Sequence, residues 1–154
     1  MAADAAAPAR PTGYDDCVSK YPAESPAQLP DPVRRALAHP GLIDITTTGR
    51  HSGQPRRIEI VYHVFDGRIY ISGMPRADRR RSWLANLEAD SRLTVHLKNG
   101  PMADVPATAR IIDDPAERRE VMARIIASAW HNQDLEQMVR HSPLIELTVP
   151  GLAA

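Results

Sequence analysis

TTTGRHSGQPRR, residues 46–57, predicts the end of one β-strand, a tight turn and the start of a second strand. The three threonines are β-branched and favour an extended backbone. Gly49 and Gly53 allow a positive φ, so the chain can turn sharply here and approach a ligand closely. The stretch therefore predicts a hairpin, and the rest of the chain is interpreted outward from it.

The predicted turn is dense in hydrogen-bond donors. Its polar side chains are those of Arg50, His51, Ser52, Gln54, Arg56 and Arg57. Guanidinium groups bind phosphate through paired, charge-assisted hydrogen bonds, and the amides of a turn can form an anion-binding nest. The residues therefore suggest a phosphate site, and a solvated, arginine-rich hairpin turn without a ligand explains them as well.

The segments on either side of the turn predict the fold class. A short helix, with Asp31 as its expected cap, and a strand ending in the threonines precede it. A strand over 57–65 follows, in which Ile58, Ile60, Tyr62 and Val64 alternate with Arg57, Glu59, Val61 and His63. We then expect a strand at 68–72, a helix near 79–89, strands at 92–98 and 102–112, and a last strand at 144–149. Between the last two strands we expect a helix that Asp114 caps, with Pro115 in its first turn, and a shorter helix near 134–139.

This order of elements predicts an α+β protein built on a small antiparallel barrel with covering helices. A doubly wound parallel sheet is disfavoured, because helices do not alternate with the strands. The sequence contains neither a Walker-type phosphate loop nor a GxGxxG motif.

Composition excludes several classes of function. The 154 residues carry no net charge, with 43 % hydrophobic and 25 % charged residues, so no overall field attracts nucleic acid or a membrane. Cys17 is the single cysteine, which excludes an internal disulfide. No apolar run is long enough to span a bilayer and the N-terminus lacks a signal-peptide core, so we expect a cytoplasmic protein.

The first 29 residues differ from the remainder. They are rich in alanine and proline and have no steady hydrophobic period. We interpret residues 1–29 as a flexible arm, or a lid over a site, and residues 30–154 as one folded domain.

No catalytic or metal-binding template is evident. The six histidines are scattered, without an i, i+4 pair on a helix, so we expect no metal site. Ser52 and Ser72 lack a recognisable nucleophile elbow. Reactivity is therefore expected to come from a bound cofactor.

The turn, a later strand ending in ISG and the helix motif WLANL together resemble the deazaflavin-dependent nitroreductase and quinone reductase family. The resemblance implies a split β-barrel, similar to FMN-binding barrels, that holds coenzyme F420, a deazaflavin with a phosphate and an oligoglutamate tail. It covers residues 42–112 well, and the C-terminal helices and last strand more loosely. It implies hydride transfer from the reduced coenzyme to an electron-poor acceptor such as a quinone, a nitro compound or an enone.

Matched position by position, the resemblance also implies roles for residues. The residues of the phosphate- and tail-binding turn are Arg50, Ser52, Gln54, Pro55 and Arg56. His51 stands in the same turn where many relatives have lysine. Either Arg57 or residues 79–81 would face the acidic tail. Those beside the deazaflavin ring are Ser72, Gly73, Met74, Arg76, Trp83 and Asn86. His131 and Tyr62 are the candidates for a proton donor.

Two other functions stay open at this point. The protein could carry the deazaflavin without turnover, because the sequence shows no acid–base set. It could also be a split barrel that holds FMN or a haem-derived pigment. The partner expected is a small-molecule electron acceptor, and a homodimer is left open.

Overall fold

The computed structural model describes residues 29–152. Along them the chain forms α1 (Asp31–Leu37), β1 (Gly41–Thr48), β2 (Pro55–Phe65), β3 (Arg68–Ser72), α2 (Ser82–Ala89), β4 (Arg92–Leu97), β5 (Ala103–Ile111), α3 (Pro115–Ser128), α4 (Leu135–His141) and β6 (Leu144–Thr148). The order agrees with the one that the sequence predicts. The predicted arm, apart from Leu29, lies outside the described residues.

The strands close into an antiparallel barrel in the order β1-β2-β3-β6-β5-β4. β1 pairs with β2 along its whole length, from Gly41 opposite Tyr62 to Thr48 opposite Pro55. Its other edge pairs with β4, which closes the barrel. The predicted fold class is therefore confirmed.

The barrel interior is one apolar core made by alternating strand residues. Ile43, Ile45 and Val95 are buried in it, and α1 and α2 add Leu37 and Leu87. Burying a side chain of this size stabilises the fold by about 1.5–3 kcal/mol. The period-two pattern of the strands is thus explained by one face that packs inward.

A second apolar layer lies outside the barrel, where α3 and α4 cover β3 and β6. It is formed by Tyr70, Ile112, Val121, Met122, Ile125, Met138 and Leu144. β3 is therefore buried on both faces from Ile69 to Ser72. The same layer covers the outer face of β2 at its end, which explains why His63 is buried although its alternation places it outside the barrel.

The N-termini of the helices agree with the sequence prediction in one case and differ from it in two. Asp114 caps α3, since its carboxylate accepts a hydrogen bond from the N–H of Glu117 at 2.9 Å. Asp31 does not cap α1: Pro30 occupies that position, and Asp31 lies in the first turn, paired with Arg34. α2 begins at Ser82, three residues later than predicted, because Arg81 is in an extended conformation.

Candidate functional site

The turn between β1 and β2 is held by its own backbone. The Gly49 N–H donates to the Gln54 carbonyl and the Gly53 N–H to the Gly49 carbonyl, both at 2.8 Å. Gly53 has a φ of 71°, which favours glycine. At Gly49 the constraint is space, because a Cβ would lie 2.7 Å from Oγ of Ser52. The two glycines therefore act differently: one supplies a left-handed backbone and the other a close approach.

Asn86 of α2 fixes the turn from the side. Its buried Oδ1 accepts a hydrogen bond from the Arg50 N–H at 3.0 Å, and its Nδ2 donates to Oγ1 of Thr47 at 3.1 Å. Thr47 is itself buried. The amide of one helix residue thus satisfies two polar groups of the turn, which keeps the backbone of Arg50 in one position.

These elements enclose a cavity of about 600 Å³, here called the turn cavity. Most of the predicted coenzyme residues line it together, namely Arg50, His51, Ser52, Pro55, Arg56, Arg57, Trp83 and Asn86. Gln54 does not line it but closes the turn through its backbone carbonyl. Trp83 is only 8 % exposed and also packs in the barrel core, so it serves both as a cavity wall and as a core residue.

The positive charge of the turn cavity is concentrated on two arginines. Arg57 pairs with Asp44 at 2.9 Å, and Lys98 pairs with the same carboxylate at 2.7 Å. These two cations, Lys98 first, lower the pKa of Asp44. Within residues 29–152 no carboxylate pairs with Arg50 or Arg56. Their guanidinium groups can therefore bind an anion such as a phosphate.

The remaining predicted ring-side residues lie elsewhere. The buried Ser72 hydroxyl donates to the Pro143 carbonyl at 2.6 Å, Met74 is exposed, and Arg76 pairs with Asp78 at 3.0 Å. A Cβ at Gly73 would lie 3.0 Å from a guanidinium nitrogen of Arg81. Arg76 and Arg81 line a second cavity of about 440 Å³, here called the arginine cavity. Ser72 and Gly73 adjoin it through Pro143 and Arg81.

Neither candidate proton donor lines the turn cavity. Tyr62 is buried, and its hydroxyl donates to the Ala36 carbonyl of α1 at 2.7 Å, while burial raises the pKa of the phenol. His131 is exposed in the connection between α3 and α4. The structure thus gathers the turn, Trp83 and Asn86 into one site and leaves Tyr62 and His131 outside it.

Sequence reasoning did not give Thr47 or Arg118 a place in a site. Thr47 is one of the three adjacent threonines, and its alternation with neighbours on β1 is the signal for its inward position. Arg118 lies on α3, far in sequence from residues 76–84 and 140–144, which line the cavity with it, and no local pattern marks it.

Comparison with known proteins now defines the class of the protein. A family model described as F420H(2)-dependent quinone reductase matches residues 31–149, so the chain belongs to this family. The chain is therefore an F420-dependent oxidoreductase, and its coenzyme is F420. The resemblance in the sequence and the coenzyme prediction are confirmed. A search of curated protein sequences found no significant match.

Solved structures share the fold at low sequence identity. An F420-H2 dependent reductase, FDR-A, is 19 % identical, with a TM-score of 0.52 over 70 % of this chain and 93 % of its own. The conserved hypothetical protein Rv2991 from Mycobacterium tuberculosis is 17 % identical, with a TM-score of 0.58 over 81 % and 83 %. A protein described as a domain-swapped dimer is 16 % identical, with a TM-score of 0.52 over 88 % and 94 %.

Within residues 29–152, the helices are all too short or too polar to cross a membrane.

Proposed function

We propose that the protein transfers a hydride from reduced coenzyme F420 to an electron-poor organic acceptor, such as a quinone, a nitro compound or an enone. The observation that supports this most directly is the turn cavity, where Arg50 and Arg56 have no carboxylate partner among residues 29–152. Bound there, the coenzyme would supply the hydride, and the chain's own residues would bind and orient it.

The roles of the residues follow from their contacts. Arg50 and Arg56 would hold the phosphate through charge-assisted hydrogen bonds, with the side chains of His51 and Ser52 as further donors. Asn86 and Thr47 would fix the backbone that presents Arg50. Trp83 would provide an apolar wall that excludes water from one side of the cavity.

The ring-side roles remain part of the proposal. The backbone at Ser72, Gly73 and Met74 would lie along the deazaflavin ring, since Gly73 presents no side chain there. In this proposal the ring would lie beyond the turn cavity, toward the arginine cavity that Gly73 adjoins. Tyr62 and His131 stay predictions of the sequence, and the proposal gives neither a role in the turn cavity.

A hydride-tracing experiment tests the proposal. The purified protein is incubated with an enone and reduced coenzyme that carries deuterium at its hydride position, and the product is analysed by mass spectrometry. We expect carbon-bound deuterium in the product, because a C–D bond does not exchange with water. The double variant Arg50→Ala/Arg56→Ala at the same coenzyme concentration serves as a control and should transfer much less label.

Other results would replace the proposal. Coenzyme binding without transfer to quinones, nitro compounds or enones would indicate a carrier of the deazaflavin. Tight binding of FMN or a haem-derived pigment, with no affinity for the deazaflavin, would reject the assignment of the cavity. Absorption spectra of the purified protein before and after addition of each cofactor distinguish these cases.

A homodimer and a cytoplasmic location are also part of the proposal. The domain-swapped dimer among the similar structures shares the fold with this chain and motivates a test of the oligomeric state. Light scattering coupled to size-exclusion chromatography would give the mass directly, and the mass of a single 17.0 kDa chain would reject the dimer.

A further inference from the structure

A series of hydrogen bonds joins three strands on the outer face of the barrel. Oγ1 of Thr46 on β1 lies 2.7 Å from Nε2 of His96 on β4, and Nδ1 of the same ring lies 2.7 Å from Oδ1 of Asp104 on β5. The three residues are far apart in the sequence, and β4 brings them together because it pairs with both β1 and β5. Closure of the barrel thus forms a hydroxyl–imidazole–carboxylate series that no local motif predicts.

The two partners of His96 determine which of its ring nitrogens carries the proton. An ionised carboxylate accepts hydrogen bonds and donates none, so in the neutral ring Nδ1 is protonated and donates to Asp104. Nε2 is then an acceptor, and the Thr46 hydroxyl donates to it. A hydroxyl that donates to an imidazole, whose other nitrogen a carboxylate holds, has the arrangement of a nucleophile and its general base.

The residues around His96 hold its ring in this orientation. Asp44 lies directly opposite His96 on β1, but its carboxylate pairs with Arg57 and Lys98. The carboxylate that orients the ring is therefore that of Asp104, on the other side of β4. His96 is only 8 % exposed, so its ring is largely shielded from water. A base that is already oriented needs no rearrangement before it takes up a proton.

The Thr46 side chain adjoins a cavity of about 510 Å³, here called the threonine cavity. Its outward-facing threonines are Thr46, Thr48, Thr94 and Thr108. Pro55, Pro106 and Pro150 line it at exposed positions and supply apolar surface. The cavity borders the turn cavity at Thr47 and Pro55, but the arginines of the turn cavity do not line it. Its volume lies within the range of about 300–1,000 Å³ that is usual for small-molecule sites.

Two further hydroxyls of the threonine cavity can stabilise negative charge on a substrate carbonyl. Thr94 lies directly opposite Thr46 in the pairing of β4 with β1, and Thr48 follows on the same face of β1. At Thr46 the strand is paired on both edges, so its backbone groups are engaged in the sheet. Hydroxyls would therefore act in place of the backbone amides of a usual oxyanion hole, which favours esters with a good leaving group over amides.

We propose that Thr46 is a nucleophile activated by His96 and Asp104, and that the protein hydrolyses small esters of aliphatic acids in the threonine cavity. Oγ1 of Thr46 attacks the ester carbonyl carbon and gives its proton to Nε2 of His96. The bond to the leaving alcohol breaks, and the oxygen of that alcohol takes the proton from Nε2. Water then attacks the acyl group with the help of Nε2, the bond to Oγ1 breaks, and Oγ1 regains its proton as the acid leaves. Water is the co-reactant and no electrons are exchanged, so the coenzyme is not required.

Hydrolysis of 4-nitrophenyl butyrate, measured without coenzyme as release of 4-nitrophenol, tests the proposal. We expect Thr46→Val to lower the protein-dependent rate at least about 10-fold, because general base catalysis contributes about 10²–10⁴-fold. Thr46→Ser keeps a hydroxyl and should retain activity. Thr148→Val is the matched control, since Thr148 is an exposed strand residue outside the cavity lining, and it should react like the wild type. A wild-type rate equal to that of buffer, or full activity of Thr46→Val, would overturn the proposal.

Asp104→Asn tests the positioning of His96 without a change in the threonine cavity. Asp104 is exposed and does not line the cavity, so the variant is expected to fold, which circular dichroism checks. An asparagine amide can donate to Nδ1 and so move the ring proton to Nε2, where it blocks the general base. We therefore expect kcat to fall at least about 10-fold while KM stays near that of the wild type. An unchanged kcat would reject the role of the carboxylate.

Mass spectrometry of acid-quenched protein locates the acyl group during turnover. We expect a butyryl group on the peptide that contains Thr46, and no butyryl group on this peptide in Thr46→Val. The amine of Lys98 is a second nucleophile near His96, since both residues adjoin Asp44. A butyryl group on Lys98, with Thr46 unmodified, would show that 4-nitrophenol release reports acylation of the protein surface and would overturn the proposal. Failure of hydride transfer alters none of these readouts.

Discussion

The turn cavity and the arginine cavity lie on either side of the start of α2 and are built in contrasting ways. The turn cavity takes most of its lining from residues 47–58, and the two arginines that have no carboxylate partner within residues 29–152 are at exposed positions. The arginine cavity joins three distant segments, and Arg118 both lines it and holds α3 against α4. We infer that charge can be removed from the turn cavity without loss of the fold, whereas charge and fold are coupled at Arg118.

The largest effect is expected from Arg118→Leu. The change removes the donors to the carbonyls of Ile112, Val139 and Ser142 and leaves those groups without their partner. We expect the free energy of unfolding to fall by about 3 kcal/mol, since each hydrogen bond to a charged group contributes roughly 1.5–3 kcal/mol and partial rehydration offsets part of the loss. Guanidinium chloride titration measures the change.

Arg119→Leu is the matched control for that experiment. Arg119 is the next residue on α3, but its side chain is exposed and pairs with Glu136 on the surface. Exposed ion pairs contribute little, so we expect a denaturation midpoint close to that of the wild type. Equal destabilisation by the two variants would contradict the structural role given to Arg118.

At the turn cavity we expect substitutions to weaken coenzyme binding and leave stability unchanged. Arg50→Ala and Arg56→Ala are each expected to weaken coenzyme F420 binding by about 10- to 100-fold while the denaturation midpoint stays near that of the wild type. The loss should shrink as salt rises, because salt screens the wild-type contact. Fluorescence titration at two salt concentrations measures both effects.

Arg57→Ala tests whether an arginine that is already paired with a carboxylate contributes to coenzyme binding. Arg57 also lines the turn cavity, but its guanidinium is committed to Asp44. Its removal should therefore reduce coenzyme affinity less than removal of Arg56, its neighbour. If the three arginine variants bind the coenzyme as well as the wild type does, the turn is a solvated hairpin without a binding role.

The contrast between the cavities also explains what the sequence could predict. The lining of the turn cavity can be predicted from the sequence, because most of its residues are adjacent in the chain. Gly49 and Gly53 mark the turn between two strands of clear alternation. The cap at Asp114 can be predicted for the same reason. The carboxylate that accepts the hydrogen bond and the N–H that donates it belong to residues only three positions apart. Short-range patterns therefore predict the barrel, its order of elements and the turn residues that line the cavity.

Contacts between residues far apart in the chain cannot be predicted in this way. No local pattern indicates that the Asn86 side chain bonds to both Thr47 and Arg50, or that the Tyr62 hydroxyl bonds to Ala36. The arginine cavity likewise arises only when β6 brings the ends of α3 and α4 beside the β3–α2 loop. These features depend on closure of the barrel, which sequence spacing does not specify.

The burial of His63 beneath the helical layer should make the stability of the fold depend on pH. Its ring is buried against Trp130, 4.9 Å between centroids, and its Nε2 has no hydrogen-bond partner among the described residues. Burial lowers the pKa of His63 to about 4. Between about pH 6.5 and pH 4 the unfolded chain binds the proton more readily, so stability should fall as the pH falls through this range.

The expected contribution of His63 is on the order of 2 kcal/mol between pH 7 and pH 4.5. Urea titrations at several pH values measure it, and His63→Leu should flatten this part of the profile. His39→Leu, at an exposed position, should keep the wild-type profile. A wild-type stability that is constant down to pH 4.5 would contradict the buried, neutral state of His63.

The smallest effect is expected from removal of residues 1–28, which tests whether either cavity depends on the segment that precedes the barrel. The deletion keeps Leu29, which packs against the barrel core. Because the removed residues are rich in alanine and proline without a hydrophobic period, we expect the melting temperature to fall by less than about 10 °C, or roughly 2 kcal/mol. Scanning calorimetry measures this change, and a larger fall would show that the segment belongs to the folded body. Coenzyme titration of the same protein then distinguishes a passive tail, which leaves affinity unchanged, from a lid over the turn cavity, whose loss lowers affinity while the melting temperature holds.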